Sequence, residues 1–123
     1  MDREEFEKVV EEVFESLPEL FRATIDNVHI VVEELPETQR KSRKGIRSGG
    51  LLLGLYEGIP LTKRGVDYGM YPVIPDRITL FRRNIEAVAR DTDDLRAKIR
   101  EVLMHEIGHY YGMSESEIRR AGY

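Results

Sequence analysis

The chain of 123 residues has no cysteine and no tryptophan. Without thiols it has neither disulfides nor a cysteine nucleophile, which suits a reducing cytoplasm. No apolar run approaches the ~18 residues that a membrane-spanning helix needs. Met1-Asp2-Arg3-Glu4-Glu5 is not followed by the apolar core of a signal peptide. A cytoplasmic location is therefore expected. Amides are sparse as well: Gln39 is the one glutamine, and Asn27 and Asn84 are the asparagines. Charged residues make up 34%, against ~25% in ordinary domains, a balance that hints at heat tolerance. The net charge of -4 argues against a general polyanion binder. The length fits one domain, 1–123, with a single core.

Histidine is also scarce, at three residues, yet two of them stand four apart in His105-Glu106-Ile107-Gly108-His109. Residues four apart lie one above the other on a helix, so these imidazoles can converge on one tetrahedral ion. Neutral imidazole is a good zinc ligand, and an open catalytic zinc takes three protein ligands. Glu106 lies around the same side of the helix, where a general base for metal-assisted hydrolysis belongs. The plainer alternative is a partly buried helix face whose histidines bond backbone or carboxylate partners. Two of only three histidines at this spacing, with a glutamate directly after the first, rarely arise by chance.

The motif runs on through Tyr110-Tyr111-Gly112-Met113-Ser114-Glu115. His-Glu-x-x-His-x-x-Gly-x-x-Glu resembles the extended zincin signature, in which a glycine reverses the chain before a third ligand. More closely, the C-terminal half, the segment Pro75-Asp76-Arg77-Ile78-Thr79 and the length resemble the minimal zincin-like metallopeptidases of bacteria. These are short single-domain proteins with the pattern H-E-x-x-H-x-x-G-x-x-D. The resemblance covers most of the chain. It implies zinc (Zn2+) held by His105, His109 and Glu115, with Glu106 as base in the hydrolysis of peptide (amide) bonds. Glu115 stands where the family usually has aspartate, one methylene shorter. The resemblance also implies that Leu51 to Glu57 is an edge strand at the cleft rim that pairs with extended substrate. Gly54 would let a backbone come close there.

Glu115 competes with Glu117 for the third-ligand role. Ser114 and Glu117 are spaced as a capping box, which employs Glu117. Glu115 then falls at the first helical position with its carboxylate free to turn back, unless it is there simply as an acid favoured by a helix N-terminus.

The remaining pattern is α+β. Phe6, Val9, Val10, Val13, Phe14 and Leu17 form one helical stripe that opens at Asp2 and stops at Pro18. Val28 to Val32 reads as a strand, and its His29 as a surface or packed residue rather than a ligand. Pro36 to Gly50 is polar and basic, with Arg40, Lys41, Arg43, Lys44 and Arg47. It reads as a solvated loop more readily than as a phosphate-binding patch, since aromatic residues for base stacking are missing. Leu51 to Glu57 and Asp76 to Arg82 are strands, Gly58 to Pro72 is turn-rich, and Asn84 to Arg90 is ambiguous between strand and helix. The motif helix opens near Thr92, with Leu95, Ile99, Val102, Leu103 and Ile107 as its buried face. Gly108, inside that helix, implies close approach of another segment. A last short helix spans Ser114 to Tyr123.

The expected fold is thus a minimal zincin-like one. A small, mixed, twisted sheet of three or four strands packs with an N-terminal helix and an active-site helix. Only 14 residues follow His109 (123 − 109), too few for a second subdomain, so the cleft is expected to be open below unless a partner or second subunit completes it. Two functions compete. One is a zinc metallopeptidase acting on a peptide or protein. The other is a zinc-binding regulatory or protein-interaction module with little or no catalysis. Nucleic-acid binding through residues 40–47 is the weaker third, because the rest of the chain is acidic.

Overall fold

A computed structural model describes residues 1–25, 27–37, 46–65 and 75–123, apart from the side chains of Leu20 and Thr24. The N-terminal stripe folds as helix α1 (Arg3–Ser16). The Asp2 carboxylate caps it, accepting from the Glu5 N–H at 2.8 Å, and Phe6, Val10 and Val13 are buried. Pro18 ends α1 and opens a helix the pattern did not suggest, α2 (Glu19–Thr24). Six residues are too few for a readable helical period.

The strands among the described residues are β1 (Val28–Glu33), β2 (Arg47–Ser48), β3 (Leu51–Leu52), β4 (Gly54–Glu57) and β5 (Asp76–Phe81). The main sheet has the order β1-β5-β4, with β1 parallel and β4 antiparallel to the central β5. Three strands in a mixed sheet, within an α+β fold, match the expectation. Because β5 is central, its Ile78, Thr79, Leu80 and Phe81 are all buried. The expected alternation of inward and outward residues is lost there.

The single strand expected over Leu51 to Glu57 is two strands. Gly49 and Gly50 both take positive φ, 57° and 82°, making a two-residue reversal of the type that favours hairpins. That turn folds Leu51–Leu52 back onto Arg47–Ser48. Leu53 is the switch point: its N–H donates to the Ile46 carbonyl at 2.8 Å, while its own carbonyl accepts from the Phe81 N–H at 2.9 Å. The basic loop therefore ends earlier than expected, with Arg47 in a strand. Arg40, Lys41, Arg43 and Lys44 lie outside the described residues, as does the stretch 66–72 of the turn-rich connection.

Of the ambiguous stretch Asn84 to Arg90, residues 84–88 are helical, within α3 (Arg82–Val88), and Ala89 leaves the helix in extended conformation. Helix α4 (Thr92–Tyr110) is capped by Asp91, which accepts from the Asp94 N–H at 2.8 Å. Its expected buried face, Leu95, Ile99, Val102, Leu103 and Ile107, is buried in full. It packs on α1 and lies against β4 and β5. Gly54 makes that approach possible, since a Cβ there would stand 2.4 Å from Val102 Cγ1. This glycine admits the motif helix rather than a substrate. Among the described residues no helix is long and apolar enough to cross a membrane.

Candidate metal centre

The last turn of α4 sets the site. Gly112 takes φ 88°, its N–H bonds the His109 carbonyl at 2.9 Å, and the Met113 N–H bonds the Gly108 carbonyl at 3.0 Å. This left-handed stop reverses the chain. Helix α5 (Glu115–Arg120) then starts from Ser114 with both bonds of the capping box made, at 3.2 and 3.1 Å. Helix α5 packs closely on α4 at Gly108, where a Cβ would stand 2.8 Å from Ile118 Cγ1. Ile118 is thus the segment whose approach Gly108 implied.

Glu117 is held by the cap, and Glu115 turns back to the histidines. Its Oε1 lies 2.7 Å from His109 Nε2 and its Oε2 2.9 Å from His105 Nε2. The three expected ligands are the group of potential metal ligands found among the described residues, with ligand atoms within 4.8 Å of one another. The exposed His29 on β1 is not part of it.

The outer ring nitrogens show that a metal fits. His109 Nδ1 lies 3.1 Å from the Met113 carbonyl, and His105 Nδ1 lies 3.2 Å from the main-chain oxygen of Tyr123. Such oxygens can only accept, so each Nδ1 carries the proton. Each Nε2 then faces a carboxylate that can only accept, so a cation shared there, a proton or a metal ion, is what lets the three groups converge. Moreover His105 Nε2, although close to Glu115, is buried without an aligned hydrogen-bond partner. Partial burial pushes the Glu115 carboxyl up, but hydrogen bonds and charge from His105 and His109 outweigh it and hold it below the usual carboxylate range. Glu115 is therefore ready as an anionic ligand, and the donor set of two imidazoles and one carboxylate suits zinc.

Glu106 is fully buried. Its Oε1 accepts from the Tyr56 N–H of β4 at 2.9 Å and its Oε2 from the Ile46 N–H ahead of β2 at 3.1 Å. Burial raises its pKa, against the opposing pull of His105, His109 and these two N–H groups. The Tyr56 side chain continues the network. Its hydroxyl donates to Asp76 Oδ2 at 2.5 Å, and burial followed by that carboxylate raises its pKa, so it stays a donor. Asp76 also accepts from Arg64 Nη2 at 2.9 Å and from the Ile59 N–H at 3.1 Å.

That network holds a wall whose first part, Tyr56 and Glu57, belongs to the expected rim strand and whose continuation from Gly58 to Lys63 the sequence reading missed. A groove of about 710 Å³ runs between Tyr56 to Pro60 with Lys63 on one side and Glu106, His109, Gly112 and Met113 on the other. Thr62, in the 3-10 turn Leu61–Lys63, sits against Gly112, where a Cβ would stand 2.3 Å from the threonine hydroxyl. This wall is built by β4 and the segment that follows it, facing Glu106, His109, Gly112 and Met113. The backbone donors to Glu106 were missed for another reason: main-chain contacts leave no residue-type signature. The Pro-Asp segment at β5 was the available hint for Asp76. Tyr110, next to His109, is fully buried against Tyr56.

A family model described as zincin-like metallopeptidase matches residues 25–123. A solved structure of a conserved hypothetical protein from Thermo thermophilus is similar over 98% of each chain, at 24% identity and a TM-score of 0.57. At that identity the likeness speaks for the fold alone. No curated protein matches the chain significantly.

Proposed function

Given that this chain belongs to the zincin-like metallopeptidase family, we propose that it hydrolyses peptide bonds. His105, His109 and Glu115 would hold the zinc ion, with Glu106 as the general base. The observation that carries this reading is the convergence of two Nε2 atoms and one carboxylate, each imidazole oriented by a main-chain acceptor. Bound there, zinc supplies Lewis acidity that polarises a carbonyl and eases deprotonation of a water. The chain's own residues do the rest. Glu106 accepts a proton from the attacking water and passes it to the leaving amine. Each of its oxygens already holds one N–H but keeps a lone pair free for that proton. Its raised pKa brings the carboxyl nearer to a base that works close to neutral pH.

The substrate is a peptide or protein segment in extended form along the outer edge of β4, which among the described residues pairs only with β5. The Tyr56 N–H is already given to Glu106, which leaves the Tyr56 carbonyl for a bound strand.

The two backbone contacts of Glu106 favour a second reading, in which that carboxylate is a structural tie and the chain is a zinc-binding interaction module with little or no catalysis. Turnover of a fluorogenic peptide library by zinc-loaded protein separates the two. Cleavage abolished by chelator and restored by zinc supports the peptidase. No cleavage by protein carrying one zinc per chain supports the module.

A further inference from the structure

Helices α4 and α5 end in the same way, and both endings reach a histidine. In α4 the left-handed Gly112 is followed by Met113, whose N–H bonds the Gly108 carbonyl at 3.0 Å and whose own carbonyl faces His109 Nδ1. In α5 the left-handed Gly122, φ 96°, is followed by Tyr123. The Gly122 N–H bonds the Arg119 carbonyl at 3.0 Å, the Tyr123 N–H bonds the Ile118 carbonyl at 3.0 Å, and the Tyr123 main-chain oxygen faces His105 Nδ1. One device, a glycine-terminated helix stop, has thus been used twice, first at Gly112 and again at Gly122.

We propose that Tyr123 is a positioning residue for His105, and that the turn ending α5 is an integral part of the metal centre. The inference rests on the zinc reading above. Its physical content is that acceptors behind metal-bound histidines fix their tautomer and ring angle. His105 is the buried one of the pair, so water has little access to replace a lost acceptor. The stretch from Gly112 to Tyr123 therefore supplies the third ligand, Glu115, and the orienting oxygens of the other two. By linkage, whatever loosens this stretch weakens the metal, and metal loading tightens the stretch by an equal free energy. Glycine at 122 is needed for its backbone angle alone, because a Cβ there would meet nothing within 4 Å.

That property gives a clean variant. Gly122→Val forbids the left-handed turn without a clash, whereas Gly122→Asn keeps it in part, since asparagine enters the left-handed region more readily than a β-branched residue. Nitrogen-15 NMR of the metal-free proteins reads the His105 Nδ1 proton directly, and competition with a chromophoric chelator reads zinc affinity. The wild type should show a proton held on His105 Nδ1 before any zinc is added. Gly122→Val should lose that signal and bind zinc roughly 10- to 100-fold more weakly, with Gly122→Asn in between. Folded Gly122→Val with an unchanged Nδ1 proton and unchanged zinc affinity would overturn the inference. The NMR result is independent of zinc. A wild type with the Nδ1 proton in place that binds no zinc would sink the metal reading and leave the positioning role standing.

Discussion

Ile118 lies over Gly108 so closely that a Cβ on the glycine would stand 2.8 Å from Ile118 Cγ1 and 2.9 Å from its Cδ1. This contact sets how deeply α5 seats on α4, and through it where Glu115 meets His105 and His109.

Gly108→Ala should therefore behave against helix propensity. In a free helix the change gains about 1 kcal/mol, but here overpacking against buried Ile118 costs about 1–3 kcal/mol. The expected result is lower stability in urea titration together with weaker zinc binding, because α5 is pushed outward. The Gly108→Ala, Ile118→Ala pair should lose less than the sum of the two single changes. Additive losses would mean that the contact does not set the seating of α5.

Glu106→Gln tests the tie between distant segments. The swap keeps the shape but turns one oxygen, now an amide NH2, against a backbone N–H of Ile46 or Tyr56. Two donors then face each other in a buried place, which should cost about 1–3 kcal/mol of stability. Zinc should stay bound, and any hydrolysis should fall by a factor on the order of 10² or more. Loss of zinc in this variant would make Glu106 a ligand.

Asp76→Ala should loosen the cleft wall. The Asp76 carboxylate is the meeting point of Tyr56, Arg64 and Ile59, with the Arg64 and Asp76 side chains 6% and 1% exposed. Removing it leaves a buried guanidinium without its carboxylate, at a cost of about 3–5 kcal/mol. Hydrogen exchange should speed up from Tyr56 to Arg64 before it does in α1. Uniform loss of protection would show instead that the network holds the whole fold.

Much of this could be read from the sequence, because the features involved are local. The α1 stripe, the buried face of α4 and the Ser114–Glu117 cap all follow from spacing along single helices, and each is present. The same holds for His105, His109 and Glu115, whose spacing is bridged by one glycine reversal. What could not be read depends on pairing between distant segments. Leu53 divides one apolar run into two strands only because Ile46 and Phe81 claim opposite sides of it. The donors to Glu106 come from residues 60 and 50 positions away, through backbone groups that nearly every residue type carries.

Glu115 meets the two histidines while Glu117 closes the Ser114 cap, so the two should separate in the laboratory. Glu117→Ala should cost about 1 kcal/mol of helix capping and leave zinc in place. Equal zinc affinities for Glu115→Ala and Glu117→Ala would refute the division of roles.

The most direct measurement is the zinc content of purified, zinc-equilibrated protein after removal of free metal, compared among wild type, His109→Ala and Glu115→Ala. One zinc per chain is expected in the wild type, with loss in His109→Ala and a sharp drop in affinity in Glu115→Ala. Folded wild-type protein that holds well under one zinc per chain even after zinc addition would contradict the account.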